Sequence, residues 1–317
     1  MERDQYAVMA RREDDHWWYA GMRRVALRVL DQALAGRSGL VVLDAGCGTG
    51  GTTARLRRYG RVVGIDLAWE ALQPARDRGL DGRLARGDVQ RLPFRDASFD
   101  AATSFEVVYH LGVASDAAAL AELRRVLKPA GLLLLRVPAH DWLRGAHDRL
   151  VHTRHRYAPA EVRTKLAQAG FQVEQLAWAN SLLFPVAAAK RLLLERASPN
   201  HAREHASPEQ RAQHISLERA AGHGGPEHPS PEHVAGYLPP AIARTRLLVQ
   251  GGGPQVRGER VARVAVDREV GAEPDLWQPP GLLNAVLESL VAVEGPVLAR
   301  GFSFPFGLSV LAVARAV

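Results

Sequence analysis

The chain has almost no cysteine. Cys47 is the sole one among 317 residues. No disulfide forms within the chain, and no cysteine cluster binds zinc. A lone thiol fits a reducing cytoplasm. Long apolar runs are also scarce. The stretch from Ser181 to Ala189 is among the longest and is too short to span a bilayer. The first residues, MERDQYAVMARREDDHWWYAG, carry charges where a signal peptide needs an apolar core. A basic block is missing too. Net charge is +7, yet the arginines are spread out. The compact clusters are Arg55-Arg57-Arg58 and Arg154-His155-Arg156, and a solvated helix face accounts for the first. No Asn-Pro-Pro-aromatic motif follows the fourth expected strand, and no appended RNA-binding domain is visible. These absences predict a soluble, cytoplasmic protein with no integral membrane segment and no nucleic-acid partner.

Apolar residues make up 47% of the chain, enough for a sizeable core. From Leu40 to Val137 the pattern is strand, turn, helix, repeated. Leu40-Val41-Val42-Leu43 is a continuous apolar run, the mark of a strand buried on both faces. A glycine-rich turn follows Asp44, then a helix from Thr52 to Tyr59. Val62 to Ile65 is a second strand ending at Asp66, and a helix runs from Trp69 to Arg78. A weaker strand spans Arg83 to Ala85. Ala101 to Phe105 is the fourth, Asp116 to Leu127 is helical, and Leu132 to Val137 is the fifth after the break at Lys128-Pro129-Ala130-Gly131. Helices between strands demand parallel pairing with right-handed crossovers, hence a doubly wound α/β sheet. Pro159 to Gly170 reads as a helix opened by proline and closed by glycine. Phe171 to Trp178 alternates like a strand, Pro279 to Leu298 is mostly helical, and Leu308 to Val317 is a final strand.

Between Ala197 and Ala272 the character changes. Pro-Glu-His repeats, a Gly251-Gly252-Gly253 run and six of the twelve histidines fall there. Their spacing follows no metal-ligand pattern, so this stretch reads as a polar, low-complexity, partly disordered insertion. The expected organisation is an N-terminal helical cap over residues 1–39 and a cofactor-binding core over 40–180. A helical insertion over 181–300 contains the low-complexity segment 197–272, and residues 301–317 complete the core sheet.

The most informative segment is Asp44-Ala45-Gly46-Cys47-Gly48-Thr49-Gly50-Gly51. Gly46, Gly48 and Gly51 also satisfy the G-x-G-x-x-G spacing of dinucleotide folds. In both cases glycine lets backbone approach a ligand where a Cβ would clash. Charge separates the two. A dinucleotide brings a pyrophosphate, which Asp44 would repel. A sulfonium and an ammonium group would be attracted. Asp66 suits two ribose hydroxyls, a device that NAD folds share. Asp88 suits an adenine amino group, and Val89 offers a backbone amide. Each acid alone has a second explanation as a turn or cap aspartate.

The ordered segments VVLDAGCGTG, VVGIDLA, ARGDVQRLPFRDASFDAATSFEVVYHL and LRRVLKPAGLLLLRVP closely resemble class I S-adenosylmethionine-dependent methyltransferases, in particular the type 11 branch. The resemblance covers Leu40 to Pro138. It implies a Rossmann-like, seven-stranded, mostly parallel sheet with an antiparallel last strand, with S-adenosyl-L-methionine as cofactor. Asp44, Gly46, Cys47 and Gly48 would form the methionine-side turn. Asp66 would hold the ribose, with Leu67 beside it, and Asp88 and Val89 the adenine, with Phe105 nearby. His16-Trp17-Trp18-Tyr19 and Arg23-Arg24 resemble an N-terminal motif of the same branch. Arg23 or Arg24 suits the methionine carboxylate, although the tryptophans equally suit packing on the sheet.

The implied activity is methyl transfer to a small-molecule or lipid- or sugar-linked acceptor. The alternatives are a non-catalytic S-adenosylmethionine-binding protein and, further off, an NAD-type oxidoreductase. A leaving sulfonium needs no acid, so the enzyme's work is alignment, exclusion of water and sometimes removal of a proton. Glu106-Val107-Val108-Tyr109-His110 resembles a stretch of ubiquinone-pathway O-methyltransferases, but Tyr109 replaces a second Glu, and no metal is expected. His110 is a candidate general base. The polar and aromatic stretch from Pro138 to Tyr157 suits an acceptor pocket, with His155 and Tyr157 as candidate catalytic groups and His140 and Trp142 beside them.

Overall fold

The computed structural model describes residues 3–145, 148, 151–190 and 279–317. All lie in one compact unit. The expected insertion, residues 197–272, falls outside the described residues, as does His147.

Helices α1 (Arg3–Arg12) and α2 (Trp17–Ala33) precede the sheet. Then come β1 (Leu40–Ala45), α3 (Gly51–Leu56), β2 (Gly60–Asp66), α4 (Trp69–Ala75), β3 (Leu84–Arg86), β4 (Phe99–Phe105), α5 (Asp116–Val126), β5 (Leu127–Pro138), α6 (Pro159–Gln168), β6 (Phe171–Ala179) and α7 (Phe184–Ala189). After residue 278 follow α8 (Gly281–Ala292), α9 (Glu294–Ala299) and β7 (Ser309–Ala316).

The seven strands run in the order β3-β2-β1-β4-β5-β7-β6. β1 to β5 pair in parallel. β7 is antiparallel to both β5 and β6. This is the doubly wound, mostly parallel sheet with an antiparallel last strand that the sequence predicts.

Strand alternation sends side chains to two cores. On one face Leu133, Leu135 and Val137 of β5 meet Leu120 and Leu123 of α5 and Leu166 of α6. On the other, Leu132 and Leu134 meet α2, Val291 of α8 and Leu298 of α9. Helix α2 fits because Met22, Val25, Ala26, Val29 and Leu30 recur at helical spacing and are almost fully buried. Burying each of its larger apolar side chains contributes about 1.5–3 kcal/mol. His16 caps α2, its Nδ1 accepting from the Trp18 amide at 3.3 Å. Trp17 and Trp18 pack on the second core.

Three local differences have plain causes. β5 starts at Leu127, directly after α5, not at Leu132. Leu127 pairs with Phe99, a register shift follows, and Ala130 turns to φ 59°. The break read at Lys128-Pro129-Ala130-Gly131 is therefore an irregularity within the strand. The helix after β2 is regular only to Ala75, and a wider turn runs from Arg76 to Leu80 with Gly79 at φ 72°. Gly281–Ala299 is long and apolar enough by composition to cross a membrane, contrary to the expectation from run lengths. In the fold it is two helices, and both contact α2. Arg24 reaches Glu288 at 3.0 Å, and the Asn284 side chain bonds the Trp17 amide and the Asp15 carbonyl.

Candidate cofactor and acceptor site

Register brings the predicted acids to one rim. Asp44 stands opposite Gly64 and Thr103, Asp66 opposite Arg86, and Phe105 opposite Arg136. The carboxyl ends of β1 to β5 therefore open on one side, where α/β sheets carry their ligands.

The turn after β1 is built for close approach. Gly46 sits at φ 81°, and a Cβ there would lie 2.1 Å from a Val107 methyl. Gly48 sits at φ 54°, and its imaginary Cβ would meet only the Met9 methyl, at 3.1 Å. Both backbones need glycine. The Gly46 and Cys47 amides donate to the Ile65 carbonyl at 2.8 and 2.9 Å, locking the turn to β2. Asp66 accepts from the Gly48 amide at 2.9 Å and from the Ala68 amide at 2.9 Å, which fixes its carboxylate beside the turn. Asp88 accepts from the Gln90 amide at 2.8 Å, and Val89 is buried beside it. Leu67 stays exposed. Burial raises the carboxyl pKa of Glu13, Asp44 and Asp66 above the ordinary range. A glycine cradle next to the Asp66 carboxylate fits a cationic ligand.

Residues 43–135 match a family described as a methyltransferase domain. The chain carries a class I S-adenosylmethionine-dependent methyltransferase domain. Three relatives show how far the likeness reaches. An uncharacterized 37.1 kDa protein in transposon TN4556 of Streptomyces fradiae is 42% identical over 121 residues, 36% of this chain and 34% of that one. A malonyl-[acyl-carrier protein] O-methyltransferase of Erwinia pyrifoliae is 43% identical over 113 residues, 35% of this chain and 42% of that one. A protein of Mycolicibacterium smegmatis named a probable S-adenosylmethionine-dependent methyltransferase is 32% identical over 165 residues, 51% of this chain and 62% of that one. The chain thus spans less than two thirds of the length of each. S-adenosylmethionine is the cofactor of this domain, and the cradle of Gly46, Gly48 and Asp66 fits it.

Several residues that the resemblance singles out are engaged by the protein's own groups. Asp44 is fully enclosed. Thr53 donates to one of its oxygens at 2.6 Å and Thr103 to the other at 2.7 Å. It shapes the turn from beneath and presents no free oxygen to a sulfonium. Cys47 is buried, and burial together with Asp44 and Asp66 pushes its thiol pKa far up. Arg23 is committed to backbone, donating to the Glu13 carbonyl at 2.7 Å and the Asp14 carbonyl at 3.0 Å. It ties the α1–α2 connection instead of waiting for a carboxylate. Arg24 is likewise spent on Glu288.

The acceptor side divides in two. The Tyr157 ring is buried, and its hydroxyl donates to Asp116 at 2.8 Å. Lys165 meets the same carboxylate at 3.1 Å. His155 lies edge-on to Tyr157 and faces Glu161 at 2.9 Å. Tyr157 therefore braces the entry of α6 against α5, and His155 ties the same loop to α6. The rim keeps Glu106, paired to Arg136 at 2.9 Å, with the guanidinium 5.1 Å from the Phe105 ring. His110 stands next to His152, and burial lowers its pKa to about 4, so it is neutral. Isolated bridges join His110 to Thr153 and Ala139 to Tyr157. The loops after β4 and β5 thus meet at one place.

Sequence reading missed the group that closes the cradle. Glu13 accepts from the Thr49 hydroxyl at 2.5 Å and the Gly51 amide at 3.2 Å. Arg78 pairs with Glu13 at 2.9 Å, donates to the Thr49 carbonyl at 2.9 Å and to the Ala10 carbonyl at 3.1 Å, and also binds Asp14. Tyr6 of α1 faces Asp66 and Glu70, which, after burial, raise its pKa to about 12. Nothing in the charged run around Glu13 signals that one of its acids is buried.

Proposed function

We propose that this chain transfers a methyl group from S-adenosylmethionine to a nucleophile on a small-molecule or lipid- or sugar-linked acceptor. The observation that carries the reading is the glycine cradle with Asp66 fixed beside it. Gly46, Cys47 and Gly48 form the methionine-side turn. Asp66 and Leu67 take the ribose, Asp88 and Val89 the adenine, and Phe105 a wall. When bound, the cofactor supplies an electrophilic methyl carbon. The chain's own work is to orient the acceptor, exclude water with the α1 cover, and accept a proton at the rim. Five relatives named malonyl-[acyl-carrier protein] O-methyltransferase favour an acceptor borne on an acyl carrier as the second choice after a free small molecule. The protein acts in the cytoplasm, without nucleic acid.

Calorimetry with S-adenosylhomocysteine and NADH tests the reading. Only the first should bind. Asp66→Ala should weaken its binding at least about tenfold, since charged hydrogen bonds are worth about 1.5–3 kcal/mol each. Binding of NADH instead would establish the oxidoreductase alternative. Binding without turnover across an acceptor panel would favour the non-catalytic one.

A further inference from the structure

Among the rim histidines of the described residues, one differs from the rest. His110 and His152 have partners, and His155 faces Glu161. The Nε2 of His140 is buried and has no hydrogen-bond partner. A buried polar atom left unpaired is uncommon and costs about 1–3 kcal/mol, so it calls for a reason.

His140 lies directly beyond the carboxyl end of β5, two residues after Pro138. Its backbone is held at φ 59°, ψ 97°, an unfavourable region for a non-glycine residue. Surrounding structure holds it there. Its amide reaches the Tyr157 carbonyl, and its carbonyl accepts from Leu143 at 2.9 Å. Such strain gathers at functional positions.

The ring is set in aromatics. Trp178 stacks on it at 4.7 Å and 10°. Phe184 lies at 5.3 Å and Trp142 at 5.8 Å, and Phe306 extends the wall 5.1 Å from Phe184. The Gly307 backbone favours the protonated ring. Burial and the Arg156 charge lower the pKa against it, and the ring is neutral. Protonated at Nδ1, the neutral ring leaves the free lone pair on the unpartnered Nε2. Trp142 and Phe306 are 45% and 39% exposed, so this wall also faces outward.

We propose that His140 is the proton acceptor for the methyl acceptor, and that the acceptor is a phenol-class molecule seated among Trp142, Trp178, Phe184 and Phe306. The chemistry rests on the methyl-transfer reading; the binding does not. Because Nε2 is buried, the ring reaches it only if a wall side chain moves, and Trp142 on the single turn Asp141–Leu143 is the most exposed of the four. The phenol O–H bond breaks and its proton goes to Nε2. The oxygen pair forms the new bond to the methyl carbon, whose bond to sulfur breaks with the pair left on sulfur.

The test uses the full chain and two probes of nearly equal shape, 4-ethylphenol and ethylbenzene, followed by saturation-transfer NMR and tryptophan quenching. The wild type should bind the phenol about tenfold more tightly. His140→Phe should bind both alike and keep its affinity for S-adenosylhomocysteine. Equal binding by the wild type, a preference that survives in His140→Phe, or no binding at millimolar probe would overturn the proposal. If His140→Phe does not fold, nitrogen NMR of the wild type decides. The His140 Nε2 resonance must move on adding 4-ethylphenol and not on adding ethylbenzene. Failure to bind S-adenosylhomocysteine would defeat methyl transfer alone and leave this result standing.

Discussion

Replacing Tyr157 by Phe removes one hydroxyl and keeps the ring. That hydroxyl donates to Asp116 at 2.8 Å inside the α5–α6 contact, where Lys165 is the carboxylate's other close partner. Arg154 stands off at 3.9 Å. Hydrogen bonds to charged groups contribute about 1.5–3 kcal/mol. Lys165 remains as a partner of the buried Asp116 carboxylate, so a loss of about 2 kcal/mol is expected. For a domain of this size that lowers Tm by about 4–8 °C. The effect should depend on pH. Burial acts to raise the Asp116 pKa, but the Tyr157 hydroxyl and Lys165 outweigh it and hold the carboxyl below its ordinary range. A depressed folded pKa stabilises above the unfolded value, near 3.9, and the benefit disappears as pH falls through the folded one. The gap between wild type and Tyr157→Phe should be full at pH 6 and close below about pH 4. Urea unfolding at several pH values measures it, with S-adenosylhomocysteine affinity as control. An unchanged midpoint at pH 6 would refute the brace, and a collapse of turnover at full stability would return Tyr157 to the reacting centre.

Three more outcomes are expected. Gly46→Ala places a Cβ against Val107 in left-handed backbone, and should lose about 2–5 kcal/mol in urea unfolding; an unaltered midpoint contradicts the cradle geometry. Glu13→Ala strips Thr49, Gly51 and Arg78 of a shared partner, and should cost about 2 kcal/mol by calorimetric melting while increasing hydrogen exchange in α1; an α1 as protected as before counts against it. Cys47 should resist a disulfide reagent at pH 8 in the folded protein and react once in denaturant, because burial keeps its thiol protonated; rapid labelling of the native protein would contradict its placement.

The fold was legible where one physical signal dominated. The apolar run at Leu40 to Leu43 can only be a strand covered on both faces, and it is. The start of β5 was not legible, since Lys128, Pro129 and Gly131 each speak against a strand, whereas pairing of Leu127 with Phe99 decides it. Spacing located the glycine cradle, because φ above zero leaves few residue choices. It did not show that Asp44 points inward, which depends on Thr53 and Thr103, nine and fifty-nine positions away. The contacts of Arg23 and Tyr157 were hidden for the same reason. Their residue types suit ligands, but a carbonyl at Glu13 and a carboxylate at Asp116 reach them first.

The place of β7 has a consequence for biosynthesis. It fills the gap between β5 and β6, yet of the seven strands described it is made after all the others. Until residues 309–316 emerge, β5 presents a bare edge and β6 lacks its one strand partner, and α2 stays uncovered until residues 281–299 supply α8 and α9. At about 5–20 residues per second, the ribosome takes about 10–35 s to travel from residue 138 to residue 309. Through that interval the nascent chain holds a finished cofactor turn beside an unfinished sheet, and exposed edges of that kind pair readily with other chains. Yield in the cell should therefore respond to chaperone supply and translation speed more than to the stability of the finished protein.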